Sequence, residues 1–121
     1  MRIALLVPGG VDRGGEERVI PALLWLIERL SARHDVQVLA MRQEDAPGSW
    51  TLAGAQVHNI GRTRTHARAW QTLGQLHRAA PFDLTHAFWA GSTGALAVLA
   101  GKRWGIPSLI HVAGGELTAL R

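Results

Sequence analysis

The residues of this chain best suited to chemistry are backbone groups beside a few histidines. The apolar run Arg2–Pro8 breaks into Gly9-Gly10-Val11-Asp12-Arg13-Gly14-Gly15, and Glu16-Glu17-Arg18 then opens a long apolar-periodic segment. A strand that ends in glycines and feeds a helix offers N–H groups to an anion. The missing Cβ lets the ligand approach, and the helix N-terminus adds partial positive charge. The loop is not a P-loop, because no Lys-Ser/Thr pair follows. Nor do Gly10, Gly14 and Gly15 fit G-x-G-x-x-G. A tight strand-to-helix turn with no ligand is the bland alternative.

His86 falls inside a later apolar run. His111 ends another and leads into a second glycine turn, Gly114-Gly115-Glu116. The six histidines are otherwise dispersed, there is no cysteine, and no acidic pair has ligand spacing, so no metal is expected. No Ser-His-Asp arrangement stands out. Trp50, in a polar stretch, and Trp89, beside the fourth apolar run, are the two tryptophans placed to meet a ligand. The other three are expected to pack.

These residues need a scaffold, and the pattern supplies one. Apolar runs at 2–8, 36–41, 55–60, 83–88 and 108–112 read as strands. Periodic segments at about 17–32, 65–79 and 93–104 read as helices, the first with Pro21 in its opening turn. Ala69, Trp70, Leu73 and Leu76 are expected inward on the second helix. The third, with Ser92 as N-cap, is expected to be largely buried. Residues 42–53 read as a polar loop around Pro47-Gly48. Alternation of strand and helix predicts an α/β doubly wound, Rossmann-like parallel sheet with helices on both faces and the five strands in the order 3-2-1-4-5. Ligands then bind at the carboxyl ends of the strands, where the glycine loop, residues 86–92 and residues 111–116 converge on one crevice.

Composition excludes several classes. With 47% hydrophobic and 18% charged residues over 121 positions, the chain is a folded domain with a real core. No apolar run nears the roughly 20 residues that span a bilayer, and the first is too short for a secretory signal. A cytoplasmic location is expected, peripheral at a membrane. The net charge of +4 matters less than its distribution. From Ala46 to Phe82 there is no Asp or Glu, while Arg62, Arg64, Arg68 and Arg78 fall inside. That stretch either faces phosphates or anionic lipid or is a solvated helix face. Nucleic acid is not expected as a partner.

Four segments together resemble the N-terminal domain of a retaining, family-4 type glycosyltransferase of the GT-B fold. Gly14-Gly15-Glu16-Glu17-Arg18 looks like that family's Gly-Gly-x-Glu-Arg loop, and Arg33-His34-Asp35-Val36-Gln37-Val38-Leu39 its helix end and second strand. Pro81-Phe82-Asp83-Leu84-Thr85-His86-Ala87-Phe88-Trp89 resembles its Asp-x-x-His strand. Gly105-Ile106-Pro107-Ser108-Leu109-Ile110-His111, with Gly114-Gly115-Glu116-Leu117, resembles the strand that ends in His or a Gly-Gly-Glu-Leu turn.

The resemblance implies sugar transfer, with retention, from a nucleotide-sugar co-substrate to a glycan, lipid or small-molecule acceptor, without a metal. It implies that Gly9, Gly10, Gly14 and Gly15 approach the donor phosphates and that His111 lies near the transferring sugar. His86, Trp89, Gly114, Gly115 and Glu116 would line the acceptor cleft. Contact with anionic membrane is expected through Arg62, Arg64 and Arg68. Family members carry a second, donor-binding domain, and nothing in these residues corresponds to it. The chain therefore reads as one truncated domain over 1–121, inactive alone, and a homodimer through the surface so exposed is expected. A stand-alone dinucleotide-binding module is the competing reading. Against it, Met41-Arg42 stand where an acidic residue would end the second strand.

Overall fold

The apolar runs at residues 2–7, 35–40 and 84–88 become strands because a sheet covered by helices on both faces hides them from water. The computed structural model describes residues 1–15, 20–88 and 91–111. In chain order the elements are β1 (Arg2–Val7), α1 (Pro21–Ser31), β2 (Asp35–Ala40), β3 (Gly48–Leu52), β4 (Ala55–Asn59), α2 (Thr65–Ala79), β5 (Leu84–Phe88), α3 (Gly91–Trp104) and β6 (Ser108–His111). The sheet runs β3-β4-β2-β1-β5-β6. All neighbours are parallel except the hairpin pair β3 and β4. With β3 set aside this is the expected order, so the fold is a Rossmann-like α/β sheet.

Alternation along the strands sorts side chains between two cores. Leu5, Val7, Val36, Val38 and Ala40 pack under α1 with Leu23 and Ile27. Ala4, Leu6, Leu39 and Met41 face the other way, against Ala69 and Leu73 of α2 and Leu96 and Ala100 of α3. The amino-terminal edge is pinned by Arg2. Its guanidinium lies 4.6 Å over the Phe82 ring, and it donates to Asp35 Oδ2 at 2.9 Å and to the carbonyls of Leu76 and Ala80.

Several expectations need correction. Residues 48–52 are not loop but β3, joined to β4 by Ala53 (φ 52°) and Gly54 (φ 87°). Two consecutive left-handed residues make the tight turn that matches strand twist, and alanine in the first place conceals it. Helix α1 begins at Pro21 itself, where the absent N–H costs nothing, with Ile20 as N-cap. Helix α3 begins at Gly91, so Ser92 lies within its first turn and is not the cap. That helix is buried on one side only, since Leu99 is 56% exposed. Trp70 (38%) and Trp25 (67%) also reach solvent.

Histidines give the fold a pH dependence. His58 Nε2 donates to Gln37 Oε1 at 2.8 Å, and His77 Nδ1 accepts the Phe82 N–H at 3.0 Å. Burial, with a smaller push from Arg2, lowers both pKa values. A depressed imidazole pKa means that the unfolded chain binds more protons below about pH 6.5, so stability falls as pH drops through that range. Urea midpoints are expected to decrease between about pH 7.5 and 5.5, and His58→Asn should flatten the trend. A midpoint that rises on acidification would contradict this assignment.

Candidate functional site

The glycine loop leaves β1 at the carboxyl edge of the sheet and turns toward α1. Gly10 takes φ 83°, and its carbonyl accepts the Ile20 N–H at 3.0 Å, fixing the start of α1. A Cβ there would sit 2.6 Å from Ile20 Cδ1, so only glycine fits. Val11 is buried. Its N–H donates to Gln43 Oε1 at 2.9 Å, and its carbonyl accepts from Trp50 Nε1 at 3.1 Å. Arg13 pairs with both oxygens of Glu44, at 2.7 and 2.9 Å, and lies 4.7 Å over the Trp50 ring. The Gly15 N–H donates to the Asp12 carbonyl at 3.0 Å and the Gly14 N–H to Asp12 Oδ2 at 3.3 Å. The loop is therefore pre-shaped by its neighbours, and two of its N–H groups are held by Asp12.

Those neighbours depend on one buried amide. Asn59 Oδ1 accepts the N–H groups of Gln43 and Glu44 at 3.0 and 3.2 Å, while Nδ2 donates to the carbonyls of Glu44 and Ala46 at 2.9 and 2.7 Å. Gln43 and Glu44 are the residues that hold Val11 and Arg13. Sequence reasoning missed Asn59, Gln43, Glu44 and Asp12. The available signal was a polar residue, Asn59, in phase with buried Ala55 and Val57.

His86 and Phe88 project from β5 to the same face as Leu5, and His111 projects there from β6. The His111 ring stacks on Phe88 with centroids 4.6 Å apart and planes 9° from parallel. Phe88 belongs to the same buried cluster as Val7 and Val11, which bracket the first glycines. The structure thus sets His111 against Phe88 with His86 one residue pair behind, while the glycine loop turns the other way, with Arg13 over Trp50 and Gly15 beside Leu52 of β3. Burial, and then the neighbouring His111, push the His86 pKa down, which favours a neutral ring. As the expected order has it, β6 is the last strand of the sheet among the described residues, and it is exposed along its length, with His111 at its end. Trp89, Gly114, Gly115 and Glu116, like Glu16 to Val19, lie outside the described residues.

Arg62 pairs with Asp45, and Arg68 lines a polar groove of about 550 Å³ with Ser49, His58 and Gln71. On the α2 and α3 side, a crevice of about 290 Å³ opens at the carboxyl edge between Pro8, Arg42, His66 and Ser92. Among the described residues no three His, Asp or Glu side chains are grouped to hold a metal.

A glycosyl transferase 4-like domain model matches residues 19–121, most of the chain. The chain belongs to the glycosyl transferase 4-like domain family. A comparison with curated proteins finds no match. The glycosyl transferase 4-like domain thus has a function of the glycosyltransferase type, on a Rossmann-like sheet. Among its described residues no helix is long and apolar enough to cross a membrane.

Proposed function

We propose that this domain forms the acceptor-side wall of a sugar-transfer cleft, in a GT-B enzyme that uses a nucleotide-sugar donor with retention and no metal. The observation that supports the reading is that the glycine loop follows β1, and His111 ends β6 stacked on Phe88, both at the carboxyl edge of the sheet. In the transfer step the Gly14 and Gly15 N–H groups exchange their bonds to Asp12 for donor phosphate oxygens, at a site where oriented N–H dipoles favour negative charge. His111, exposed at a strand end, donates to a sugar hydroxyl and stabilises charge as the glycosidic bond breaks. Neutral His86 lines the floor behind it. Trp89 and Glu116 complete the acceptor side, and a donor-binding domain supplies the opposite wall.

The reading is tested by titrating the isotopically labelled chain with a nucleoside diphosphate and following its amide signals. The amides from Gly9 to Gly15 are expected to respond. No response there at saturating ligand would remove the proposal.

A further inference from the structure

We infer that the polar groove between α2 and the β3–β4 hairpin is a binding site for a saccharide that carries one carboxylate, a hexuronate being the simplest case. This inference is independent of the sugar-transfer reading and rests on the other face of the sheet. Trp50 and Leu52 of β3 pack into the core under α1, on the side of the glycine loop. Alternation therefore turns Ser49 to the α2 side, beside its register partner His58. Ala69 and Leu73 hold α2 on the sheet by packing with Leu39, Met41 and Ile60. Arg68, Gln71, Thr72 and Gln75 follow one another at helical spacing along one flank of α2 and make the second wall. The groove so framed holds about 550 Å³, within the range of small-molecule sites.

The chemistry of the walls selects the ligand. No Asp or Glu lines the groove. Among the described residues, the side chains of Ser49, Arg68, Gln71, Thr72 and Gln75 enter no hydrogen bond or ion pair, so their polar groups are unspent. Amides and hydroxyls both donate and accept, as the hydroxyls of a sugar do. His58 Nε2 donates to Gln37 Oε1 at 2.8 Å, which leaves Nδ1 of the neutral ring as an acceptor. Burial, and then Arg2, hold the His58 pKa down, so Arg68 brings the one full charge to the groove. A single guanidinium fork matches a single carboxylate through two parallel N–H···O bonds. A phosphate monoester, with about two charges near pH 7, would be left half-neutralised. A polyhydroxylated monoanion satisfies both the charge and the array of donors and acceptors.

The test is shift mapping of the full labelled chain titrated in turn with glucuronate, glucose and glucose 6-phosphate. Glucuronate is expected to shift the side-chain amides of Gln71 and Gln75 and the His58 ring, and to leave Gly14 and Gly15 in place. Glucose should act at the same signals about tenfold more weakly, and glucose 6-phosphate should not exceed glucuronate there. Arg68→Gln should bring glucuronate down to the affinity of glucose. Gln71→Ala with Gln75→Ala should weaken glucuronate about tenfold. Arg29→Gln, on α1 across the sheet, should change nothing. Circular dichroism confirms that each variant is folded. Equal affinity for glucose and glucuronate, or wild-type affinity in the folded Arg68→Gln protein, would overturn the inference. So would tighter binding of glucose 6-phosphate in the groove, or a glucuronate response confined to the glycine loop.

Discussion

Replacement of Asn59 by Leu is expected to lower stability by about 3 kcal/mol and to loosen the glycine loop, although Asn59 touches none of its glycines. Leucine matches the volume and would suit the buried neighbours Ala55 and Val57, so hydrophobic transfer alone predicts a gain. Four backbone groups of residues 43–46 would lose their partners, however, at roughly 1 kcal/mol each for partly buried groups. The polar loss exceeds the apolar gain. For a chain of this size the melting temperature should fall by about 10 °C. Released residues 43 and 44 would then no longer fix Val11 and Arg13, so the loop amides should broaden or split. Asp45→Asn, which breaks only the exposed pair with Arg62, should leave the melting temperature where it is. Equal stability of Asn59→Leu and wild type would show that the 43–46 loop is held by something else.

The second large effect is expected at Gly101, where α3 crosses β6. Glycine in a helix normally costs up to about 1 kcal/mol relative to alanine, so propensity argues for replacement. Packing argues the other way. A Cβ at Gly101 would collide with Ser108 Oγ and lie 2.9 Å from the Ile106 carbonyl oxygen. Ser108 is not free to move aside, because its hydroxyl bridges Thr85 Oγ1 at 2.9 Å and the Ala97 carbonyl at 3.0 Å. Gly101→Val should therefore cost about 3 kcal/mol, the upper end of the usual range for overpacking. It should do so by prising β6, and with it His111, from the sheet edge. Gly105→Ala supplies the contrast. Nothing lies within 4 Å of its Cβ position, and its φ of 68° alone should cost about 1 kcal/mol. Chemical denaturation of the two variants decides the matter, and a Gly101→Val protein as stable as wild type would refute the packing account.

How far the sequence could be read depended on whether a residue's role was local. The continuous apolar runs of β1, β2 and β5 and the 3.6-residue period of α2 carry their meaning within a few residues, so their positions and the order of the strands were legible. The β3 hairpin was not, because an Ala-Gly turn lacks the Asn or Asp that usually marks two left-handed residues. Trp70 fell on the inward arc by periodicity, yet α2 lies beside α3 and not beneath it. Trp70 therefore stacks loosely on Trp104, at 6.3 Å, with one side in solvent. At the candidate site the glycines and both histidines were visible by type. The support from Asn59 and Gln43 was not, because it joins residues 13 to 32 apart in sequence through side-chain hydrogen bonds that no period records. The stacking of His111 on Phe88 depends on the register of β6 against β5, which strand order alone could not convey.

The most direct test of the central claim, that the glycine loop and His111 form one wall of a sugar-transfer cleft, is chemical-shift mapping on the labelled chain. A nucleoside diphosphate and a neutral saccharide are added separately and then together. The account predicts that the diphosphate shifts the amides from Gly9 to Gly15, that the saccharide shifts Phe88 and His111, and that both sets respond at one stoichiometry. Shifts confined to the polar groove around His58 and Arg68, or no response at Gly14, Gly15 and His111 at saturating ligand, would contradict it.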